Sequence, residues 1–327
     1  LIKKLIGPLA ALVALGAAAN VILAWLSAGS HALDLGRLLM QPAFYLAIVL
    51  ALVPWLTNTL RVSLWSRFLG RPLPWPDALR IVLANDIGSA ITPTAAGGGY
   101  FKLGLLVERG FSTGTAASLM ILGSLEDQIF FALAIPTTLV VSAVWRLPAL
   151  QAVGNWLRHY LMVPALIVGV AIAIVFLARR PLARRLGRVW HDFLEVYRLI
   201  ADRGRRRFAA ALALAAVQWT CRFSATAVVL ACIGAPVDPV LVFVLQWVIY
   251  IATLVVPTPG GMVGAEAAFY FAFGGFMPSA LLPAAVASWR LLTFYGPLGL
   301  AACVFALLQR GWRPLASARS TGALGAT

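Results

Sequence analysis

Charge is what this sequence has least of. Only 11% of its 327 residues are Asp, Glu, Lys or Arg, against about 25% in ordinary soluble domains, so an ordinary soluble fold is excluded. Acids are the scarcer sign: 11 Asp and Glu stand against 26 Lys and Arg, for a net charge of +15. The excess base does not point to nucleic acid, because it sits mostly in short segments between apolar runs. The three cysteines (Cys221, Cys232 and Cys303) lie inside apolar runs at no metal-ligand spacing. They read as small core hydrophobes, and no metal site is expected. No Gly-x-x-x-x-Gly-Lys-Ser/Thr run occurs, so neither drive by a P-loop ATPase nor a cofactor is expected. The loop acids (Asp34, Asp77, Glu108, Asp192, Glu195, Asp202 and Asp238) contain no Asp-x-Asp or His-x-x-x-x-Asp pair. A lipid-modifying transferase is therefore the alternative reading and not the leading one.

What the sequence has is hydrophobicity, at 61% of residues. Runs at 5–26, 42–64, 115–144, 160–177, 209–233 and 281–308 approach or exceed the ~20 residues a spanning helix needs. The fold class expected is all-α, a polytopic membrane protein forming one transmembrane domain over 1–327, with about six full spans. Lys3-Lys4 followed by an apolar stretch reads as a first span, not a cleavable signal. Residues 178–208 carry ten arginines with Leu and Val at helical spacing, which reads as an amphipathic linker on an anionic inner leaflet.

Two further segments are apolar but broken. In the first (78–109), about 14 apolar residues end at Pro93, Thr94 and the glycines Gly97, Gly98 and Gly99, and a short piece with Lys102 follows. In the second (240–276), the break is Pro257-Thr258-Pro259-Gly260-Gly261 together with Gly264, and Glu266 stands just beyond. Proline lacks the amide donor to continue a helix, and a lipid-facing break would leave backbone groups unpaired at several kcal/mol each. Short segments interrupted by Gly and Pro in both halves are the mark of re-entrant hairpins. A plain loop between ordinary spans is the bland alternative.

The two breaks align on Pro-Thr at an offset of 164 residues. Without a gap, Gly97 then falls on Gly261, Lys102 on Glu266, and Glu126 on Arg290. This predicts an inverted repeat, 42–145 and 209–308, with charges of opposite sign at matching depth. Lys102, Glu126, Asp127, Arg222, Glu266 and Arg290 all fall within apolar segments. Each costs about 2.5–3.5 kcal/mol at the bilayer centre, so they must pair or line water. Lys102 with Glu266, and Arg290 or Arg222 with Glu126 and Asp127, are the expected pairs. They serve either as structural ties or as a cavity for a lipid headgroup, whose phosphate Arg and Lys would attract. Counting Lys and Arg places both termini inside. Lys3, Lys4, the cluster between Arg61 and Arg80, the ten linker arginines, Arg310, Arg313 and Arg319 are then inside, with Arg37, Arg146 and Arg158 outside.

The run Pro257-Thr258-Pro259-Gly260-Gly261-Met262-Val263-Gly264-Ala265-Glu266 resembles the Pro-Thr-Pro-Gly-Gly-x-Gly-x-x-Glu signature of the flippase-like family. That family is named after the transmembrane region of lysylphosphatidylglycerol synthase, and the last glycine here is shifted by one residue. Residues 93–102 resemble its Gly-rich first hairpin with a following base. Asp127 resembles the Asp of its Glu-Arg-x-x-Asp helix, although Gly123 and Ser124 stand at the Glu and Arg positions. The resemblance implies a stand-alone lipid flippase of the bacterial cytoplasmic membrane, without the synthase's aminoacyl-transferase domain and not itself an enzyme. It implies aminoacylated phosphatidylglycerol, a hopanoid or a lipid-linked sugar as substrate. The partners to expect are membrane lipid, a separately encoded lipid-synthesising enzyme and a second copy of the chain. A lipid-binding scaffold for such an enzyme is the remaining alternative.

Overall fold

The computed structural model describes residues 39–92, 97–142, 151, 173, 187–255 and 262–309. The expected spans at 5–26 and 160–177 lie outside the described residues. So do Pro93, Pro257, Pro259, Gly260 and Gly261. Among the described residues the chain is helical throughout, with no strand. The helices are α1 (Pro42–Phe68), α2 (Trp75–Ile91), α3 (Gly97–Glu108), α4 (Thr113–Ser142), α5 (Arg188–Arg203), α6 (Arg205–Cys232), α7 (Pro239–Val255) and α8 (Met262–Phe273). After a 3-10 turn come α9 (Leu282–Arg290), a π turn (Leu291–Tyr295) and α10 (Gly296–Gln309).

Four of these segments are long and apolar enough to cross a membrane: α1, α4, α6 and the continuous stretch Ser279–Gln309. The described residues bury charge and expose hydrocarbon, the reverse of a soluble protein. Met40, Val49, Leu133, Val140, Val141 and Phe271 are exposed while Arg61, Arg80, Glu126 and Arg290 are buried. In water that distribution would be costly. Against lipid tails it is the favourable one. The protein is an all-α polytopic membrane protein.

The remaining helices are short. α2 and α7 have 17 residues each, and α3 and α8 have 12 each, below the ~20 needed to span. α2 packs on α3, and α7 on α8. The whole order recurs: α1, α2–α3 and α4 have counterparts in α6, α7–α8 and Ser279–Gln309. Each boundary repeats 164 residues later to within three residues. Even the helix stop recurs. α1 ends at Gly70 with φ +73° and α6 at Gly234 with φ +79°. In each case the next residue donates its N–H back to a carbonyl five residues earlier, Arg71 to Ser66 and Ala235 to Leu230. Only glycine adopts that left-handed stop without penalty.

Three local expectations change. Gly97, Gly98 and Gly99 form the first turn of α3 and are not part of the break. They are small because α3 touches its neighbours there. A Cβ on Gly98 would run into Ser89 Oγ and lie 2.5 Å from the Asn85 carbonyl, and one on Gly99 would lie 2.7 Å from the Met120 sulfur. Thr92 ties the start of this turn to α2. Its hydroxyl donates to Gly88 O at 2.8 Å and accepts from the Gly97 N–H at 2.7 Å. The amphipathic helix is shorter than 178–208 within the described residues. It ends at Gly204, and Arg205, Arg206 and Arg207 open α6. Its apolar face packs on protein, with Val196 and Ile200 buried among Trp65, Leu119 and Leu122. Finally, Arg61 and Arg80 are not surface bases. They are 4% and 2% exposed, which leaves Arg67 and Arg71 as the exposed arginines of that stretch.

Candidate functional site: two polar cavities that share a wall

Near the C-terminal end of α1, Arg61 is the centre of a buried polar cluster. Its Nε donates to Glu126 Oε2 at 2.7 Å, and its Nη1 to Asp127 Oδ1 at 2.9 Å, Gln218 Oε1 at 3.0 Å and Asn58 Oδ1 at 3.2 Å. Nη2 donates to the Gly123 carbonyl at 2.7 Å. Trp65 Nε1 donates to the other Glu126 oxygen at 2.7 Å. Both oxygens of a carboxylate with no exposed surface are thus satisfied, as a buried charge requires. Gly123 and Glu126 are three residues apart on α4 and share its face. The missing side chain at Gly123 leaves the space into which the cations reach. A Cβ there would lie 3.4 Å from Lys102 Nζ and 3.8 Å from Arg61 Nη2.

A cavity of about 590 Å³ opens beside this cluster. Its charged lining is Arg61, Lys102 and Arg222 against Asp86, Glu126 and Asp127, three bases and three acids. Lys102 is acted on by Arg61, Glu126 and Asp127. Asp86 accepts from Trp55 Nε1 at 2.9 Å and is acted on by Arg222. α5 packs against the outside of this region. Tyr197 OH donates to the Ser118 carbonyl at 3.4 Å. Burial, and then the Glu126 carboxylate, push the Tyr197 phenol above its ordinary pKa.

A second cavity, of about 240 Å³, is lined by Gln246, Ala265, Trp289, Arg290 and Thr293 among others. It shares Asp86, Ser89, Trp219, Arg222 and Tyr250 with the first. Both broken hairpins therefore border the polar space, α2–α3 through Asp86 and Lys102 and α7–α8 through Tyr250 and Ala265. Arg290 lies over the Trp289 ring at 4.9 Å and the Phe294 ring at 5.2 Å, with its Nε 3.6 Å from Glu266 Oε1. The π turn begins at the next residue.

Of the charges singled out from the sequence, Lys102, Glu126, Asp127 and Arg222 line the larger cavity, and Arg222 and Arg290 the smaller. Gly264, expected in the break, is instead buried in the first turn of α8, next to the cavity-lining Ala265. The expected partners are wrong in detail. Glu266 pairs with Arg290 of its own half and not with Lys102, and Glu126 and Asp127 are held by Arg61 and not by Arg222 or Arg290. Matched positions in a repeat share depth, but shared depth does not put them in contact. Arg61 was missed because it stands near the end of a span next to a basic loop. One signal in the sequence points there: Asn58, one turn before it, is the position that the 164-residue offset matches to Arg222.

The family model of the lysylphosphatidylglycerol synthase transmembrane region matches residues 7–301. A UPF0104 membrane protein of Archaeoglobus fulgidus is 24% identical over 277 residues, covering 76% of this chain and 81% of that protein. The matched region contains every element described above up to the first turns of α10. With its membrane architecture, the protein belongs to the family of the lysylphosphatidylglycerol synthase transmembrane region.

Proposed function

We propose that the protein is a lipid flippase of a bacterial cytoplasmic membrane, moving a polar-headgroup lipid across it without hydrolysing ATP and without catalysing a covalent step. The observation that carries this reading is the shared wall. Two polar cavities meet at Asp86, Ser89, Trp219, Arg222 and Tyr250 in a body whose outer surface is apolar. The larger touches α1 from Asn58 to Trp65, and the apolar cleft that shares Pro297 with the smaller touches α1 from Phe44 to Leu52. In the orientation that keeps exposed arginines inside, the larger cavity lies toward the cytoplasm and that cleft toward the outside.

The charge balance of the larger cavity suits a headgroup with both a phosphate and an amine, such as aminoacylated phosphatidylglycerol. Arg61 is fully engaged by Glu126 and Asp127, which leaves Lys102 and Arg222 to meet phosphate. The 164-residue recurrence of helices supports an inverted repeat as the frame, with two hairpins meeting at the shared wall. The test is headgroup accessibility in proteoliposomes: wild type speeds exchange of a labelled phospholipid between leaflets, and Lys102→Met and Arg222→Met slow it. Wild type no faster than empty vesicles, or full rates in both variants, removes this mechanism.

A further inference from the structure

The lipid-transport reading brings only a headgroup into the protein, and it leaves one cavity without a role. Phe44, Ile48 and Ala51 of α1 face Leu291, Leu292 and Leu300 across a cleft of about 290 Å³. The π turn Leu291–Tyr295 supplies part of one wall. The walls are apolar apart from Ser288, whose hydroxyl already donates to the Ala284 carbonyl at 2.8 Å. Leu300 is 43% exposed, so the cleft reaches the lipid-facing surface.

Pro297 lines both this cleft and the smaller polar cavity. On the polar side of Pro297, two buried donors have no acceptor among the described residues: Trp219 Nε1 and Gln246 Nε2. Both side chains belong to residues that are 5% exposed. A buried donor left unpaired costs as much as a lost hydrogen bond, so native structures leave few of them. Trp219 has an informative counterpart. Trp55, 164 residues earlier, donates to Asp86 at 2.9 Å. Where the first half has Asp86 the second has Tyr250, so Trp219 lacks the carboxylate that serves its counterpart. Arg222 and Arg290 line the same cavity, and Glu266 stands beside Arg290. The Arg222 guanidinium and two unpaired N–H donors thus stand on one side of Pro297, and a hydrocarbon slot on the other.

We propose that, once the headgroup has passed Arg222 from the larger cavity into the smaller, the cleft between α1 and the π turn seats one acyl chain of the transported lipid while Trp219, Gln246 and Arg222 hold its phosphate. This rests on the lipid-transport reading and narrows its substrate to a lipid whose anionic group adjoins an acyl chain. The chain then moves along the protein wall instead of in bulk lipid.

The experiment uses the purified protein in nanodiscs doped with photoreactive lipids. One is phosphatidylglycerol with a diazirine midway along one chain, and the other is diacylglycerol with the same chain. Cross-linked peptides are mapped by mass spectrometry. Phosphatidylglycerol should label 44–52 and 288–300 about tenfold more than diacylglycerol, the worth of one charge-assisted hydrogen bond. Arg222→Met should remove that excess and leave the diacylglycerol signal unchanged. Ala51→Trp should block the cleft and abolish the excess, and Leu300→Trp does the same from the opposite wall should Ala51→Trp not fold. Equal labelling by the two lipids, or label spread over the whole outer surface, marks annular lipid only and overturns the proposal. The leaflet-exchange assay fails separately. Wild type that exchanges headgroups with the cleft unlabelled sinks the chain seat alone, and wild type with a labelled cleft and no exchange sinks the transport reading.

Discussion

Arg61 and Glu126 are 65 residues apart in the chain and 2.6 Å apart in the fold, with side chains 5% and 0% exposed. Removing one member of such a pair leaves a buried charge uncompensated, which costs about 3–5 kcal/mol. Arg61→Met should therefore lower the thermal midpoint of the detergent-solubilised protein steeply. In a Glu126→Gln background the same change should cost less, since Trp65 can still donate to the amide oxygen. A double-mutant cycle reads the difference. Additive losses would show that the two side chains are not coupled.

The α2–α3 hairpin depends on contact too close for any side chain at Gly98. Asn85 O is main chain and cannot rotate away from a Cβ 2.5 Å distant. Gly98→Ala should destabilise by about 1–3 kcal/mol, the usual cost of overpacking. Adding Ser89→Ala should not restore the loss, because the Asn85 carbonyl remains. Gly104, on the same helix, has nothing within 4 Å of an added Cβ. Gly104→Ala should be neutral or stabilising by about 0.4–1 kcal/mol through the unfolded chain. Thermal unfolding of the three variants side by side checks the order.

α5 buries Val196 and Ile200 in the same apolar cluster as Trp65, Leu119 and Leu122, beside the close approach of Val189, Asp192 and Phe193 to Gly114. Val196→Asp would bury an unpaired carboxylate against that surface, and the helix should detach instead. Its arginines then become protease sites. Trypsin cleavage after Arg198 and Arg203 should accelerate by roughly tenfold or more, since the penalty exceeds about 1.4 kcal/mol. Unchanged digestion would mean that α5 is held by contacts other than Val196.

Much of this architecture is legible in the sequence, for physical reasons. Apolar length marks α1, α4, α6 and Ser279–Gln309, because nothing else satisfies backbone groups in hydrocarbon. Proline marks the two breaks in the sequence, and an offset of 164 aligns both the breaks and the stops at Gly70 and Gly234. Partner choice is not legible. Lys102 and Glu266 occupy matched positions, yet Glu266 reaches Arg290 on the next helix while Lys102 faces Arg61, Glu126 and Asp127. Depth follows from position along a helix, whereas contact depends on rotation about it and on which helices pack. The role of Arg61 was hidden for a related reason. A base seven residues from a helix end can snorkel to the surface or turn inward, and only the presence of Glu126, Asp127 and Gln218 opposite decides between them.

The orientation of the halves remains open to a direct measurement. If α2–α3 and α7–α8 each return to the side they came from, the turn before α4 and the turn after α8 face opposite sides of the membrane. Ser112 and Gly275 are exposed in those turns, and a Cβ at Gly275 meets nothing within 4 Å. With Cys221, Cys232 and Cys303 replaced, Ser112→Cys should react with a membrane-impermeant maleimide only in inside-out vesicles. Gly275→Cys should react only in right-side-out cells. The exposed arginines of α5 and of the turn after α1 then lie on the side of Ser112, as the positive-inside bias requires. Labelling of both positions from one side would overturn the inverted arrangement. It would leave the 164-residue recurrence as a parallel repeat, with no pseudo-twofold in the membrane plane to bring the two cavities to opposite faces.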